Sequence, residues 1–198
     1  MSSLPLIEAA ARGSLPPWAQ LSEHRHGHVR RVAELLGQWA EELDLTAPAC
    51  TRWRAAGLLH DALREVAPAQ LRPLVPEPLR DLPGKLLHGP AAAARLRAEG
   101  VSDESLLCAI TYHTIGHPEL DELGRALFIA DYIEPGRRYD ADLLASLRER
   151  MPRDRHDVLP TVLRARLRRL IEDDRPIRAE TAAFWNAITA AAEHEREA

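Results

Sequence analysis

An imidazole beside a carboxylate at the end of a buried helix is tolerated only when something pairs with both, because either group buried alone is costly. His60-Asp61 closes the apolar run Ala55-Ala56-Gly57-Leu58-Leu59, and a divalent metal is the partner that suits both groups. The dipeptide alone says little: with nine histidines, chance gives about half a His-Asp pair in a chain of this length. His156-Asp157 is a second one. It follows Arg153-Asp154-Arg155 rather than an apolar helix, so it reads as a solvated helix start with its acid near the positive end of the helix dipole. Four further groups sit in apolar surroundings. His28 falls mid-helix, His88 follows Leu86-Leu87, His113 lies in Ala109-Ile110-Thr111-Tyr112-His113-Thr114, and Asp131 is embedded in Ala126 to Ile133. An acid in the setting of Asp131 needs a charge partner, either a metal or an arginine such as Arg125 or Arg137. His24, one turn before His28, is a rival for it, since a His-x-x-x-His pair can bind zinc by itself. His26 reads as solvent-facing, and His194 falls in a frayed terminus.

Adjacent helical residues point about 100° apart, so His60 and Asp61 share a metal only if it sits over the edge between them. The remaining ligands must then come from other helices, as in metal sites built inside helical bundles. The pattern of apolar residues supplies those helices. It predicts a short helix from Leu4 to Arg12, a long one from Ser22 to Leu43, and a third from Thr46 or Ala47 that carries His60 inward. Residues 66–90 hold six prolines and read as short turns, either a plain connector or a lid over the site. Further helices are expected from Gly89-Pro90 to Glu99, after Ser102-Asp103-Glu104, from Glu122 to Ile133, from Asp142 to Met151, from Arg155 to Asp173 and from Ala179 to Glu195. No strand is expected. The fold class is all-α, one domain over residues 1–198 with a metal-binding core at about 20–140 and a helical extension at about 141–198.

Composition agrees with a soluble globular protein: 45% hydrophobic and 28% charged residues. A net charge of −4 argues against a general binder of nucleic acid or anionic membranes. Lys85 is the one lysine, so the other basic residues are arginines. Cys50 and Cys108 form neither a disulfide framework nor a zinc-ribbon spacing, and Met1 to Leu15 lacks the basic and apolar blocks of a signal peptide. The expected location is the cytoplasm. The sequence leaves a homodimer open.

The order His…His-Asp…His…His…Asp resembles that of the HD-domain metal-dependent phosphohydrolases. The stretches Glu23 to Val29, Gly57 to Asp61, Leu86-Leu87-His88-Gly89, Ala109 to Thr114 and Ile129 to Arg137 resemble the YqeK-type branch, the symmetrical bis(5′-nucleosyl)-tetraphosphatases. The similarity covers about residues 20–140, with a weaker echo in Thr181 to Ile188. The resemblance implies an HD-domain helical bundle with additional C-terminal helices. It implies that His28, His60, Asp61 and Asp131 hold one metal, and that Asp61 bridges to a second held by His88 and His113. Two divalent ions, iron in this family, with manganese or zinc also suited to such N and O ligands, would activate water and clamp a phosphoryl oxygen. The implied reaction splits diadenosine tetraphosphate and water into two ADP.

The resemblance assigns catalytic roles to Asp61, Arg64 and Arg137, and substrate contacts to Arg64, Thr114, His117, Glu134 and Arg137. Two departures stand out: Arg64 replaces the usual lysine three residues after the HD aspartate, and His117 stands where an arginine is common. Glu134 either orients a metal-bound water or pairs with Arg138, and Arg137 is otherwise only a helix-end cation. The rival enzyme reading is an HD phosphohydrolase of a deoxynucleoside monophosphate or a guanosine alarmone. A non-catalytic nucleotide-sensing scaffold would be expected to lack ligands, and none of the six is missing.

Overall fold

Glu65, four residues past Asp61, accepts hydrogen bonds from the Ser22 amide and hydroxyl. The Gln20 amide also donates to the Ala62 carbonyl. The start of the first long helix is thereby tied to the turn that carries His60-Asp61. The computed structural model describes residues 4–197, and His194 is among those whose side chains lie outside the described residues. Every regular element among the described residues is helical: α1 (Leu4–Ala11), α2 (Glu23–Glu42), α3 (Ala47–Leu59), α4 (Pro68–Leu71), α5 (His88–Ala98), α6 (Glu104–Tyr112), α7 (Glu122–Ile133), α8 (Ala141–Arg150), α9 (Arg155–Glu172) and α10 (Ala179–Glu197), with single 3-10 turns between α4 and α5.

Local chemistry sets these boundaries. Ser22, Asp103 and Asp121 cap α2, α6 and α7 by accepting the amides of Arg25, Leu106 and Gly124. Pro48 occupies the first turn of α3, where its missing amide is harmless. The proline-rich connector cannot build a long helix, yet Leu71, Val75, Leu82 and Leu87 from it are buried in the core, so it is seated against the bundle. Among the described residues no helix is long and apolar enough to cross a membrane.

Two glycines let the helices that carry the buried histidines approach closely. A Cβ at Gly57 would lie 2.5 Å from the Ala33 Cα, so α3 touches the backbone of α2 there, three residues before His60. A Cβ at Gly89 would lie 2.6 Å from the Ile110 carbonyl oxygen, which joins α5 to α6 beside His88 and His113. In an exposed helix Gly→Ala gains about 1 kcal/mol, but overpacking a backbone contact costs about 1–3 kcal/mol or more. Gly57→Ala is therefore expected to lower Tm by about 5 °C, read by thermal denaturation. An unchanged or raised Tm would contradict the close α2–α3 contact.

α7 runs through the centre, with Leu123, Leu127, Phe128, Ile129 and Ile133 buried. α9 and α10 cover it. Phe184 of α10 packs edge-on against Phe128, with centroids 5.5 Å apart, and lies over Gly116. The Thr181 hydroxyl donates to the Ile115 carbonyl. The last helix thus rests on the turn that follows His113.

Candidate metal centre

Five helices converge on one buried point. α2 delivers His28, the end of α3 delivers His60 and Asp61, the first residue of α5 is His88, the end of α6 delivers His113, and α7 delivers Asp131. All six are buried. Three of the imidazoles are oriented by the turn that precedes them. His60 Nδ1 donates to the Gly57 carbonyl (2.8 Å), His88 Nδ1 to the Lys85 carbonyl (3.0 Å) and His113 Nδ1 to the Ile110 carbonyl (2.8 Å). His28 Nδ1 faces Glu134 Oε1 at 3.2 Å. A carbonyl only accepts, so the ring proton of the neutral imidazole sits on Nδ1 and the Nε2 lone pair points inward.

The Nε2 atoms then meet in pairs. His28 and His60 approach to 3.3 Å, and His88 and His113 to 3.1 Å. Two lone pairs at that distance repel unless a cation lies between them. Burial pushes His60 down to about 3 and also lowers His88, so neither ring readily supplies a proton at neutral pH. Burial opposes charge on His28 as well, but the Asp131 and Glu134 carboxylates outweigh it and raise that residue. The carboxylates behave in the opposite sense: burial disfavours the ionised forms, but the imidazoles around Asp61, and His28, Arg166 and Arg137 around Asp131, hold both well below the usual range. Imidazole nitrogens with free lone pairs and ionised carboxylate oxygens are the donor set that a divalent ion requires. The donor atoms of His28, His60 and Asp131 lie within 4.8 Å of one another, as do those of His60, Asp61 and His113.

Asp61 spans the two halves. Its Oδ2 is 3.6 Å from His28 Nε2 and 3.7 Å from His60 Nε2, while Oδ1 is 3.0 Å from His88 Nε2 and 3.5 Å from His113 Nε2. Asp131 Oδ1 lies 3.2 Å from His28 Nε2 and 4.0 Å from His60 Nε2. One carboxylate therefore faces both histidine pairs and the other faces one pair.

A ring of further groups fixes this cluster. Glu134 is buried, accepts from Arg31 Nε (2.5 Å) and the Gly136 amide (2.6 Å), and orients His28 through Nδ1. Burial alone would raise its carboxyl, but His28 and Arg31 draw it down to about 2. Such carboxylate–histidine pairs set ring orientation and ligand basicity. Of the two readings open for Glu134, a pairing with Arg138 is not what the structure shows: Arg31 holds it. Arg25 Nη1 donates to Asp61 Oδ2 at 2.7 Å. Arg137 donates to both the carbonyl and Oδ1 of Asp131. Arg166, on α9, donates to Asp131 Oδ2 (3.1 Å), the Phe128 carbonyl (3.2 Å) and the Thr114 carbonyl (3.0 Å), with its guanidinium 4.3 Å over the Phe128 ring. Sequence reasoning offered Arg137 for Asp131 but missed Arg25, Arg31 and Arg166. Arg25 and Arg31 stand three residues either side of His28, a spacing that could have found them. Nothing local marks Arg166 among the arginines of α9.

Of the other residues singled out, Arg64 is half-buried and opposes the charging of His88. The Thr114 hydroxyl lies 3.0 Å from His113 Nε2. His117 stacks on Tyr112 (centroids 4.3 Å) and its Nδ1 accepts from the Glu119 amide. His24 and His26 are exposed, as are His156 and Asp157, the latter with Arg150 Nη2 at 3.5 Å.

Residues 25–136 match the family described as the HD domain. Over 124 residues the chain is 36% identical to the symmetrical bis(5′-nucleosyl)-tetraphosphatase of Staphylococcus aureus, a stretch covering 60% of this chain and 62% of that protein. It is 29% identical over 174 residues to the enzyme of the same name from Halalkalibacterium halodurans, covering 85% and 90% of the two chains. Among solved structures, a predicted HD superfamily hydrolase from Clostridium acetobutylicum, described as involved in NAD metabolism, superposes with a TM-score of 0.77. The alignment has 24% identity and covers 96% of this chain and 99% of that one. The last comparison bears on the fold, which is the all-α arrangement read from the sequence.

Proposed function

This chain belongs to the HD domain family, and on that premise we propose that it is a metal-dependent hydrolase that splits diadenosine tetraphosphate and related dinucleoside polyphosphates symmetrically. The observation that carries the reading is the placement of Asp61, with one oxygen toward His28 and His60 and the other toward His88 and His113. In this reading His28, His60, Asp61 and Asp131 hold one divalent ion, and Asp61, His88 and His113 hold the second, with iron the metal of choice. Two such ions supply a more acidic water and a clamp on the phosphoryl oxygens.

The chain's own residues do the rest. Asp61 and Asp131 neutralise the cations, and the backbone carbonyls behind the histidines keep each Nε2 aimed at the cluster. Arg64 and Arg137, both partly buried at its edge, would take the negative charge of the polyphosphate, with Thr114 beside His113 as a hydroxyl donor. Water oxygen bonds to one central phosphorus, and the bond from that phosphorus to the central bridging oxygen breaks. That oxygen leaves on the second nucleoside diphosphate, while the water proton passes to solvent. The products are two ADP, formed by a cytoplasmic enzyme whose Cys50 and Cys108 remain free thiols.

Product analysis tests this reading. Metal-loaded protein given diadenosine tetraphosphate should release ADP alone; AMP with ATP, or no turnover, would overturn it. Arg137→Ala removes one guanidinium from Asp131 but leaves Arg166 on Oδ2. It is expected to keep its metals, measured by elemental analysis, while kcat/KM falls about 100-fold, the cost of one phosphate-facing charge-assisted contact.

A further inference from the structure

Away from the metal centre, α7 borders a second space. Glu122, Arg125, Ala126 and Ile129 line a cavity of about 470 Å3 on the side that Asp131 does not face. Ile129 precedes Asp131 by two residues, about 200° around the helix, so the two cannot share a side. Trp53 of α3, Met151 from the α8–α9 turn, Leu159 of α9 and Ile188 of α10 supply the other walls. These four and Ile129 are buried, so the cavity is cut into the core, and the exposed lining residues Asp121, Glu122, His156 and Ala187 form its rim. None of the six clustered His and Asp residues lines it. Apolar walls, a few polar groups and this volume are the features of small-molecule sites.

The two rim carboxylates already have partners. Asp121 accepts from the Gly124 amide (2.9 Å) and the Ser105 hydroxyl, with Arg52 Nη2 at 3.7 Å. Glu122 pairs with Arg155 at 3.0 Å. Arg125 is left over. The sequence offers it to Asp131, yet its side chain makes no ion pair or hydrogen bond with any described residue, and its Nε is buried without an acceptor. A guanidinium cannot shed its proton, so a buried N–H of this kind is costly until an acceptor arrives from outside the chain. Trp53 is 3% exposed, and its indole N–H also donates to no described residue, although a buried tryptophan normally finds a partner. His156, half of the dipeptide that the metal centre does not use, adds an unpaired imidazole at the rim.

We propose that this cavity is a second binding site, for a small monocarboxylic acid with a compact apolar body. The apolar body lies against Trp53, Ile129, Met151, Leu159 and Ile188, and the carboxylate meets the Arg125 guanidinium. A planar carboxylate matches the guanidinium fork and carries the single charge that one free arginine neutralises. A phosphate monoester would bring more charge than Arg125 offsets, beside Asp121 and Glu122, which repel it. The inference stands apart from the hydrolase reading, because no residue of the metal centre takes part.

The test uses full-length, manganese-loaded protein and two probes of one shape, 2-naphthoate and the uncharged 2-naphthamide. Calorimetry is expected to show one saturable naphthoate site per chain with Kd below about 1 mM, and naphthamide binding about tenfold more weakly. Arg125→Met keeps an apolar stem and removes the charge, so it should weaken naphthoate about tenfold and leave naphthamide within about twofold. Ala187→Trp, at an exposed position on the rim, should block both probes. No saturable naphthoate binding, or equal affinity for the two probes, would overturn the proposal. So would naphthoate affinity within about twofold of wild type in both variants, which would place the probe elsewhere, the metal centre included.

Discussion

Asp61→Ala is expected to lose turnover by about 10⁴-fold or more, because in the proposed dinuclear reading several kcal/mol of transition-state stabilisation would leave with the two ions it would join. The reason is positional. Each of the other five clustered residues faces one part of the site, whereas the two oxygens of Asp61 face opposite histidine pairs. Removing it also leaves Arg25 without its 2.7 Å partner, but that side chain is partly exposed and can turn to water, so the fold should survive. Asp61→Asn keeps the shape but leaves one oxygen, without the charge. Elemental analysis should find little metal in either variant, while circular dichroism should match wild type. Near-normal activity in Asp61→Ala would sink the dinuclear account.

Arg166→Ala carries the second largest effect, on stability and metal together. The guanidinium bridges the Thr114 carbonyl, the Phe128 carbonyl and Asp131 Oδ2, and covers the Phe128 ring. Its removal takes a charged donor from two carbonyls and leaves one side of a buried carboxylate uncompensated, at a cost of about 3 kcal/mol. For a chain of this size that lowers Tm by about 6–12 °C. Asp131 keeps Arg137 on Oδ1 but loses the contact that fixes Oδ2, so metal affinity at the His28–His60–Asp131 group should fall about 10–100-fold. Arg166→Lys separates the two effects: it restores charge, and with it part of the stability, but not the three-point geometry. Metal affinity in Arg166→Ala equal to wild type would show that Asp131 needs no anchor from α9.

The convergence of the six clustered residues was legible because ionisable groups in apolar surroundings break a strong local rule. His60, Asp61 and Asp131 place ionisable groups within runs that are otherwise apolar, and helical periodicity carries them to one interior. The helix boundaries were legible for the same reason, with Asp121 and Asp103 announcing α7 and α6 and the prolines of residues 66–90 forbidding anything long. The orienting shell was not. Glu134 meets Arg31 across more than a hundred residues, and Arg166 reaches Asp131 from a helix whose many arginines look alike in sequence. The carbonyls behind three of the histidines are also invisible to residue type, since any residue at 57, 85 or 110 supplies one. The need for glycine at 57 and 89 arises only once two backbones are seen in contact.

Metal titration of chelated apo-protein without oxygen tests the central claim most directly. Calorimetry with ferrous or manganous ion should saturate at two equivalents per chain in wild type, with the second lost in His88→Ala and both lost in Asp61→Ala. Saturation at one equivalent or fewer in wild type would contradict a centre in which Asp61 joins two ions.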